Sequence, residues 1–459
     1  MSGKRAREER RNNKNAEQEI NNSGLQIVYP ICCGVDVHRD FIVACIAITD
    51  ALGVTSFERR RFSTYSGSLR EFREWLIMHN CFDVCMESTG KYWFPVYNIL
   101  EEAIAYPPLA NPESRFHIVV THPKYVKAIK GKKTDKRDAK WIANIFKFDM
   151  IRGSFIPPLD IRQLRDLCRY WVKLTSFNTS EKNRTQNCLT WSNFKFDAVF
   201  SSVFIKSASG IIDYILGRPG EKFDVTPFVD KRCKTPIAQI QEAADGEFNP
   251  IQAEKLKLIK EHMNFLSELK TKLEELILKL AKPYERQIEL LLTVPCISEP
   301  LTAIRIIAEI GTDMSVFDSA KHLSSWAGLC PQNNESAGKK KTTRISKAGA
   351  YIKPLLVQLA LSVGRSSKKH PEMSGIYKRI QKRRGGKKAN IAIARKLLVA
   401  IYNMLLKDEP FNAELYAKAD KIPVERSFTP EQALAFMRSR GYTIVDSGES
   451  QELDSKLAS

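Results

Sequence analysis

The chain has 459 residues, 43% of them hydrophobic, enough for two or three globular domains. Its 72 Lys+Arg against 52 Asp+Glu give a formal charge of +20, which favours an anionic polymer as partner over a merely basic soluble protein. The ten cysteines form no CxxC pair and do not cluster with the few His residues, which argues against a zinc site or a disulfide framework and fits a reducing cytoplasm. No stretch approaches the roughly 20 apolar residues of a membrane span, so no membrane partner is expected.

Residues 1–25 are polar, carry both charge signs and lack the apolar core of a signal peptide, so a disordered basic arm is expected there. IVYPICCGVDV and FIVACIAIT read as a buried hairpin, with Val35 to Phe41 at the turn. VTSFERRRFS alternates more and is placed nearer an edge. SLREFREWLIMH has helical spacing, FDVCMES is a short strand, and YWFPVYNILEEA is a helix with Pro95 in its first turn. FHIVV is a further strand and DKRDAKWIANIF a further helix. Strands first, then strand–helix alternation, predict one mixed sheet covered by helices over residues 26–158.

Pro157 and Pro158 end that unit. A long helix is expected over 160–200. Residues 206–248 show little periodicity. Residues 251–281 return to strong helical spacing, compatible with a coiled coil, an antiparallel arm or a helix buried within one subunit. Residues 159–285 are therefore read as a helical, coiled-coil-like middle with an insertion. A mostly helical domain follows over 286–410. In it, LLTVPCISEPLTAIRIIAEIG has the shape of a helix-hairpin-helix without its usual glycine. Residues 411–459 are an extension, with TPEQALAFMRSRGYTIV read as a small helix and a strand, and a disordered last dozen residues.

Four carboxylates stand out by position. Asp36 ends an apolar strand and Glu87 another, while Asp135 and Asp138 open a helix at spacing i, i+3 and share one face. Taken singly, a turn or capping role is the better reading of Asp36 or Asp135. Together they can converge at one sheet edge, where like charges call for Mg²⁺ or Mn²⁺. Two such ions serve phosphoryl transfer. Lys124, Lys132 and Lys133 belong to a basic run before the last acids, read either as a solvated run or as a hold on phosphate.

The window 337–400 holds eighteen Lys+Arg and one acid, Glu372. Lys339, Lys340, Arg344 and Lys347, then Arg383, Arg384 and Lys387, are candidate nucleic-acid contacts on loops or helix ends. Ser336 precedes Ala337, Gly338 and three lysines. By residue chemistry alone it reads as a capping or loop serine, since no His stands near it to activate the hydroxyl.

The blocks GVDVHRDFIVACI, ESTGKYWFPVYNIL and HPKYVKAIKGKKTDKRDAKWIA resemble those of the DEDD transposases of bacterial insertion sequences. LTVPCISEPLTAIRIIAEIG, FDSAKHLSSWAGLCP and ISKAGAYIKPLL resemble the C-terminal transposase domain of the same family. The resemblance implies a ribonuclease-H-like (RuvC-like) α/β N-terminal domain whose metal ligands are Asp36, Glu87, Asp135 and Asp138. It also implies a mostly α transposase domain in which Ser336 is the nucleophile that joins to DNA. The alanine after Ser336 stands where glycine is also common. The expected partners are element ends and target DNA, a structured noncoding RNA guide and further copies in a dimer or tetramer. A DNA invertase of the same family, and a nuclease using water with a merely structural Ser336, are the alternatives.

Overall fold

The computed structural model describes residues 26–88, 90–105, 116–126, 135–218, 221–331, 334–336, 339–342, 344–419 and 429–440. The expected N-terminal arm, Lys132, Lys133, the strand expected after residue 440 and the last dozen residues lie outside them. The chain divides into two compact units, residues 1–156 and 157–459.

In the first unit β1 (Ile31–Val37), β2 (Phe41–Thr49) and β3 (Thr55–Ser63) form an antiparallel meander. Next come α1 (Ser66–Met78), β4 (Asp83–Glu87), α2 (Trp93–Ala105), β5 (His117–Thr121) and α3 (Asp135–Phe146). β4 runs parallel to β1, and β5 parallel to β4. The sheet order is β3-β2-β1-β4-β5. β1 and β2 lie inside it, buried along nearly their whole length, which is why they read as continuous apolar runs. β3 is the edge its alternation suggests. Arg59, Arg60 and Arg61 are exposed along it, and such charges discourage pairing with another chain.

Side chains alternate along β1. Cys33, Val35 and Val37 join Phe72, Trp75, Val96 and Leu100 in one core, under α1 and α2. Cys32 joins Ile142, Ala143 and Phe146 in the other, under α3. Gly34 shares this second face. A Cβ there would lie 2.3 Å from Ala143 N and 2.4 Å from the Ala139 carbonyl oxygen, so α3 rests directly on the strand backbone. Burial pushes the Cys32 thiol up to about 12 and the Cys45 thiol up to about 11. Both stay protonated near neutrality and act as small apolar groups.

The second unit is mostly helical. α4 (Leu159–Trp191) stops short of the expected residue 200, because Asn193 reverses the chain with φ 61°. Residues 206–248 contain α5 (Lys206–Gly217) and α6 (Ile237–Ala243). Their core gathers Phe194, Phe196, Phe200 and Phe248 with Ile211 and Ile240. α5 does carry a helical period, with Ala208, Ile211, Ile212, Ile215 and Leu216 on its buried face, but it is only three turns long and stands among turn-forming Gly and Pro residues. α7 (Pro250–Ala281) begins at Asn249, whose side chain accepts the Gln252 N–H at 2.9 Å. It lies antiparallel to α4. Trp171 donates to Glu274 at 2.6 Å, and His262 lies 3.0 Å from Glu181. Leu164, Cys168 and Leu174 share a core with Leu266, Leu273 and Ile277. The periodic face of 251–281 is thus covered within the chain.

α8 (Glu285–Leu292) and α9 (Pro300–Ile310) are the two helices of the helix-hairpin-helix shape. Cys296 takes φ 66° in its turn, the conformation for which glycine is suited. Arg165 of α4 donates to the Ala308 and Glu309 carbonyls at 2.8 and 2.9 Å, closing the last turn of α9. Arg169 grips the buried Glu309 with two bonds of 2.7 and 2.8 Å.

The remaining elements are α10 (Ala320–Trp326), β6 (Asn334–Ser336), β7 (Lys339–Thr342), α11 (Ile352–Arg365) and α12 (Pro371–Arg384). After them come α13 (Gly386–Lys407), α14 (Glu414–Ala419) and α15 (Pro430–Ser439). Contrary to the expectation that no stretch comes near, α13 is long and apolar enough by length and composition to cross a membrane. Half of its apolar window is buried in the protein, with Ile393, Leu397 and Ile401 in the core.

Candidate functional site

Asp36 and Glu87 stand near the C-terminal ends of two neighbouring parallel strands. The register pairs Cys32 with Asp83, Cys33 with Val84, Gly34 with Cys85 and Val35 with Met86. Its next step sets Asp36 level with Glu87. Asp36 lies two residues beyond Gly34, and Glu87 two beyond Cys85, so both fall on the α3 face. α3 runs against β1: the Cys32 thiol meets the Ala143 carbonyl at 3.5 Å, and Gly34 lies against Ala139 and Ala143. The first turn of α3 therefore heads toward the Asp36 end. Positions 135 and 138 sit one turn before Ala139 and Ile142 on the stripe that meets the sheet. Three expected acids and the backbone of the fourth come to one end of one face. The Asp135 side chain lies outside the described residues.

Asp36 is 7% exposed, and Glu87 and Asp138 are half-buried. Among the described residues, no three His, Cys, Asp or Glu side chains are grouped closely enough to hold an ion. The donors the strand register and the start of α3 bring to this end are carboxylate oxygens, and the Cys32 and Cys45 thiols on the same face are protonated. That chemistry fits Mg²⁺ or Mn²⁺ and not zinc.

Several neighbours of the acids are picked out only by the fold. His38 Nε2 lies 3.2 Å from Asp36 Oδ2. Arg61 pairs with Val43 and Arg59 with Cys45, and Val43 and Cys45 sit with Ala139 on the α3 face. The Arg61 guanidinium lies 3.8 Å from the Phe41 ring centre, and the Lys140 ammonium 4.0 Å from that of Phe57. Arg61 is level with Asp36 through Val43 and flanks the acids, where a phosphate backbone would need it, whereas Phe57 is level with Cys32 through Ala47, so Lys140 lies toward the other end of the strands. The signal in sequence was the period-two spacing of Arg59 and Arg61 within a strand.

Ser336 is the last residue of β6 and pairs with Lys339, the first of β7; Glu335 pairs with Lys340. The side chains of Ser336, Lys339 and Lys340 lie outside the described residues. The hairpin is rooted by a bridge between Pro331 and Ile345. Gly349, at φ 68°, anchors the root: a Cβ there would lie 2.2 Å from the Ala327 carbonyl oxygen. The sequence therefore places the serine on a backbone hairpin held between two helices.

Among the candidate contacts, Lys124 is exposed on a single helical turn, Pro123–Val126, in the first unit. Arg344, Lys347, Arg383, Arg384 and Lys387 are exposed in the second. Arg383 and Arg384 occupy the last turn of α12, where the helix dipole favours cations anyway. Lys387 occupies the first turn of α13, where the dipole disfavours it.

A family model described as a transposase, of the DEDD type of the IS110 insertion sequences, matches residues 33–193. A second, described as the transposase IS116/IS110/IS902 family, matches residues 288–378. The chain is 35% identical over 130 residues to the pilin gene-inverting protein of Moraxella bovis, covering 28% of this chain and 39% of that protein. It is 30% identical over 113 residues to the transposase for insertion sequence element IS1111A of Coxiella burnetii, covering 24% of this chain and 31% of that protein. The matches thus span well under half the length of these relatives.

Proposed function

This chain belongs to the transposase family of the IS110, IS116 and IS902 insertion sequences, and from that premise we propose that it is a DNA recombinase of a mobile element. The reading is carried by the register that sets Asp36 level with Glu87 on the face to which the first turn of α3 is directed. The strand order, with three antiparallel strands followed by two parallel ones, suits a ribonuclease-H-like (RuvC-like) domain.

Asp36, Glu87, Asp135 and Asp138 would hold Mg²⁺ or Mn²⁺. When bound, such ions neutralise charge on a scissile phosphate and on the oxygen that leaves it. Ser336 is the nucleophile. Its hydroxyl oxygen bonds to phosphorus and loses its proton, the P–O bond to the leaving strand breaks, and that strand's oxygen takes up a proton. The phosphoserine conserves the phosphoester until the hydroxyl of another strand attacks it and releases the serine. Arg61, level with Asp36, steadies the backbone near the acids. A structured noncoding RNA acts as guide; the family resemblance and the basic 337–400 window support it. Inversion of a DNA segment by the same chemistry is a second reading, favoured by the pilin gene-inverting relatives.

The test is covalent capture of labelled element-end DNA by the full chain with Mg²⁺ and the element's RNA. A protein–DNA adduct is expected on denaturing gels, absent in Ser336→Ala and in Asp36→Ala. Cleavage that forms no adduct and is indifferent to Ser336→Ala would sink the serine mechanism and leave a nuclease using water.

The working form is a homodimer or tetramer. After α4 and α7 cover one another, α7 keeps a second apolar row at seven-residue spacing, and α4 keeps one that Arg184 interrupts. Tyr170, Phe177 and Trp191 are exposed on α4, and Ile251, Leu258 and Phe265 on α7, with Leu258 64% exposed. Heptad spacing of this kind suits a helix seam between copies. Leu258→Glu combined with Phe265→Glu is expected to convert an oligomer to monomer in analytical ultracentrifugation. An unchanged mass would remove this face from the interface.

A further inference from the structure

A groove of about 1120 Å³ opens in the second unit where the Pro331–Ile345 bridge roots the serine hairpin. The first half of α13 forms one side, and Tyr416 of α14 contributes to the wall. Pockets that take small ligands run about 300–1,000 Å³, so a nucleotide fits with room for the next phosphate.

Its lining has two chemistries. Leu329, Ile391, Ala392 and Val399 present carbon, while Arg344, Lys387, Lys388 and Arg395 present positive charge. α13 contains no Asp or Glu to offset those cations. Lys387 and Lys388 fall in its first turn, where the positive end of the helix dipole works against them. A bound anion at that end would be favoured by the dipole and the lysines alike. Tyr416 adds an aromatic ring, stacked on Phe411 with centroids 5.5 Å apart and planes 13° apart. Lys396 lies 5.6 Å from the Tyr416 ring centre.

An apolar slot with an aromatic wall and a cationic edge matches a flat base attached to a phosphate. A duplex keeps the faces of its bases covered by stacking, so only an unstacked nucleotide can present one. Pro331 precedes Ser336 by five residues, so the groove wall and the serine backbone lie within about 18 Å of each other. That is the reach of a few nucleotides.

We propose that this groove holds one unstacked nucleotide of the DNA strand attacked at Ser336. The base lies against Ile391, Ala392 and Val399, and its phosphate against Lys387 and Lys388. This rests on the recombinase reading above. It assigns the groove the task of keeping the strand next to the serine out of the duplex.

The test is fluorescence anisotropy on the full chain with two labelled strands of equal length and charge, one of thymidylate and one abasic. The protein is expected to bind the thymidylate strand about tenfold more tightly, the scale of stacking one base. Ala392→Trp and Val399→Trp each fill the groove, and each should remove that preference while keeping the affinity for the abasic strand. Lys387→Gln with Lys388→Gln should weaken both strands alike. Equal binding of the two strands by the unsubstituted protein overturns the proposal. So does a base preference that survives both tryptophans. A uridylate RNA strand preferred over thymidylate, with that preference lost in the tryptophan variants, assigns the groove to RNA and overturns the DNA assignment. Duplex binding without any base preference sinks the groove alone; no binding to any strand or duplex at low salt sinks the recombinase reading with it.

Discussion

Asp36→Asn is expected to lower metal-dependent strand cleavage by about a thousandfold, the scale of several kcal/mol of charge stabilisation. Asparagine keeps the shape and removes the charge. Asp36 is buried near the end of β1, level with Glu87 and on the face where α3 begins. In the absence of divalent ions the substitution removes one acidic charge and weakens the 3.2 Å contact with His38, so the melting temperature should change little. Adding Mn²⁺ should raise the melting temperature of the unsubstituted protein, since an ion that binds only the folded state stabilises it. The variant should lose most of that gain. Calorimetry with and without Mn²⁺ reads this apart from catalysis. If Asp36→Asn keeps both its Mn²⁺ response and its cleavage, Asp36 holds no ion.

Gly34→Ala is expected to destabilise the first unit by about 3 kcal/mol or more and to abolish cleavage as well. The added Cβ would meet two backbone atoms of α3 at 2.3 and 2.4 Å, distances that real Cβ atoms do not reach. Backbone cannot rotate aside as a side chain can, so the helix must lift, and overpacking of this kind ordinarily costs about 1–3 kcal/mol. The lift also moves Asp138 and the start of α3 away from Asp36 and Glu87. Urea unfolding monitored by circular dichroism gives the first effect, and cleavage at low denaturant the second. An alanine variant with the original midpoint and full activity would show that α3 does not rest on β1 as described.

Much of the site was legible because its residues mark element ends. An acid that terminates an apolar strand, or opens a helix, is visible in a one-dimensional pattern. Asp36, Glu87 and the Asp135/Asp138 pair all qualify. β3 as the edge was legible for the same reason, since an edge strand alternates and an inner strand does not. The family blocks carried the roles proposed for these residues, which position alone does not supply, Ser336 above all.

Other features depended on which distant segments meet. Gly34 looks like any strand glycine until α3 is laid across it. Arg59 and Arg61 read as ordinary surface cations until the register of β2 with β3 puts them on the α3 face. Residues 206–248 were hard to read because their helices are short, Lys206–Gly217 and Ile237–Ala243, and are separated by Gly- and Pro-containing turns. The groove beneath the serine hairpin draws on Leu329, Arg344, Ile391 and Tyr416, four positions spread over almost ninety residues. Sequence by itself determined the residue types and their periodicity, and so which elements form and which acids end them. Only the tertiary structure decided strand register, the close approach at Gly34 and the walls of the groove. Local propensity acts over a few residues, whereas register and close packing are set by contacts between segments far apart in the chain.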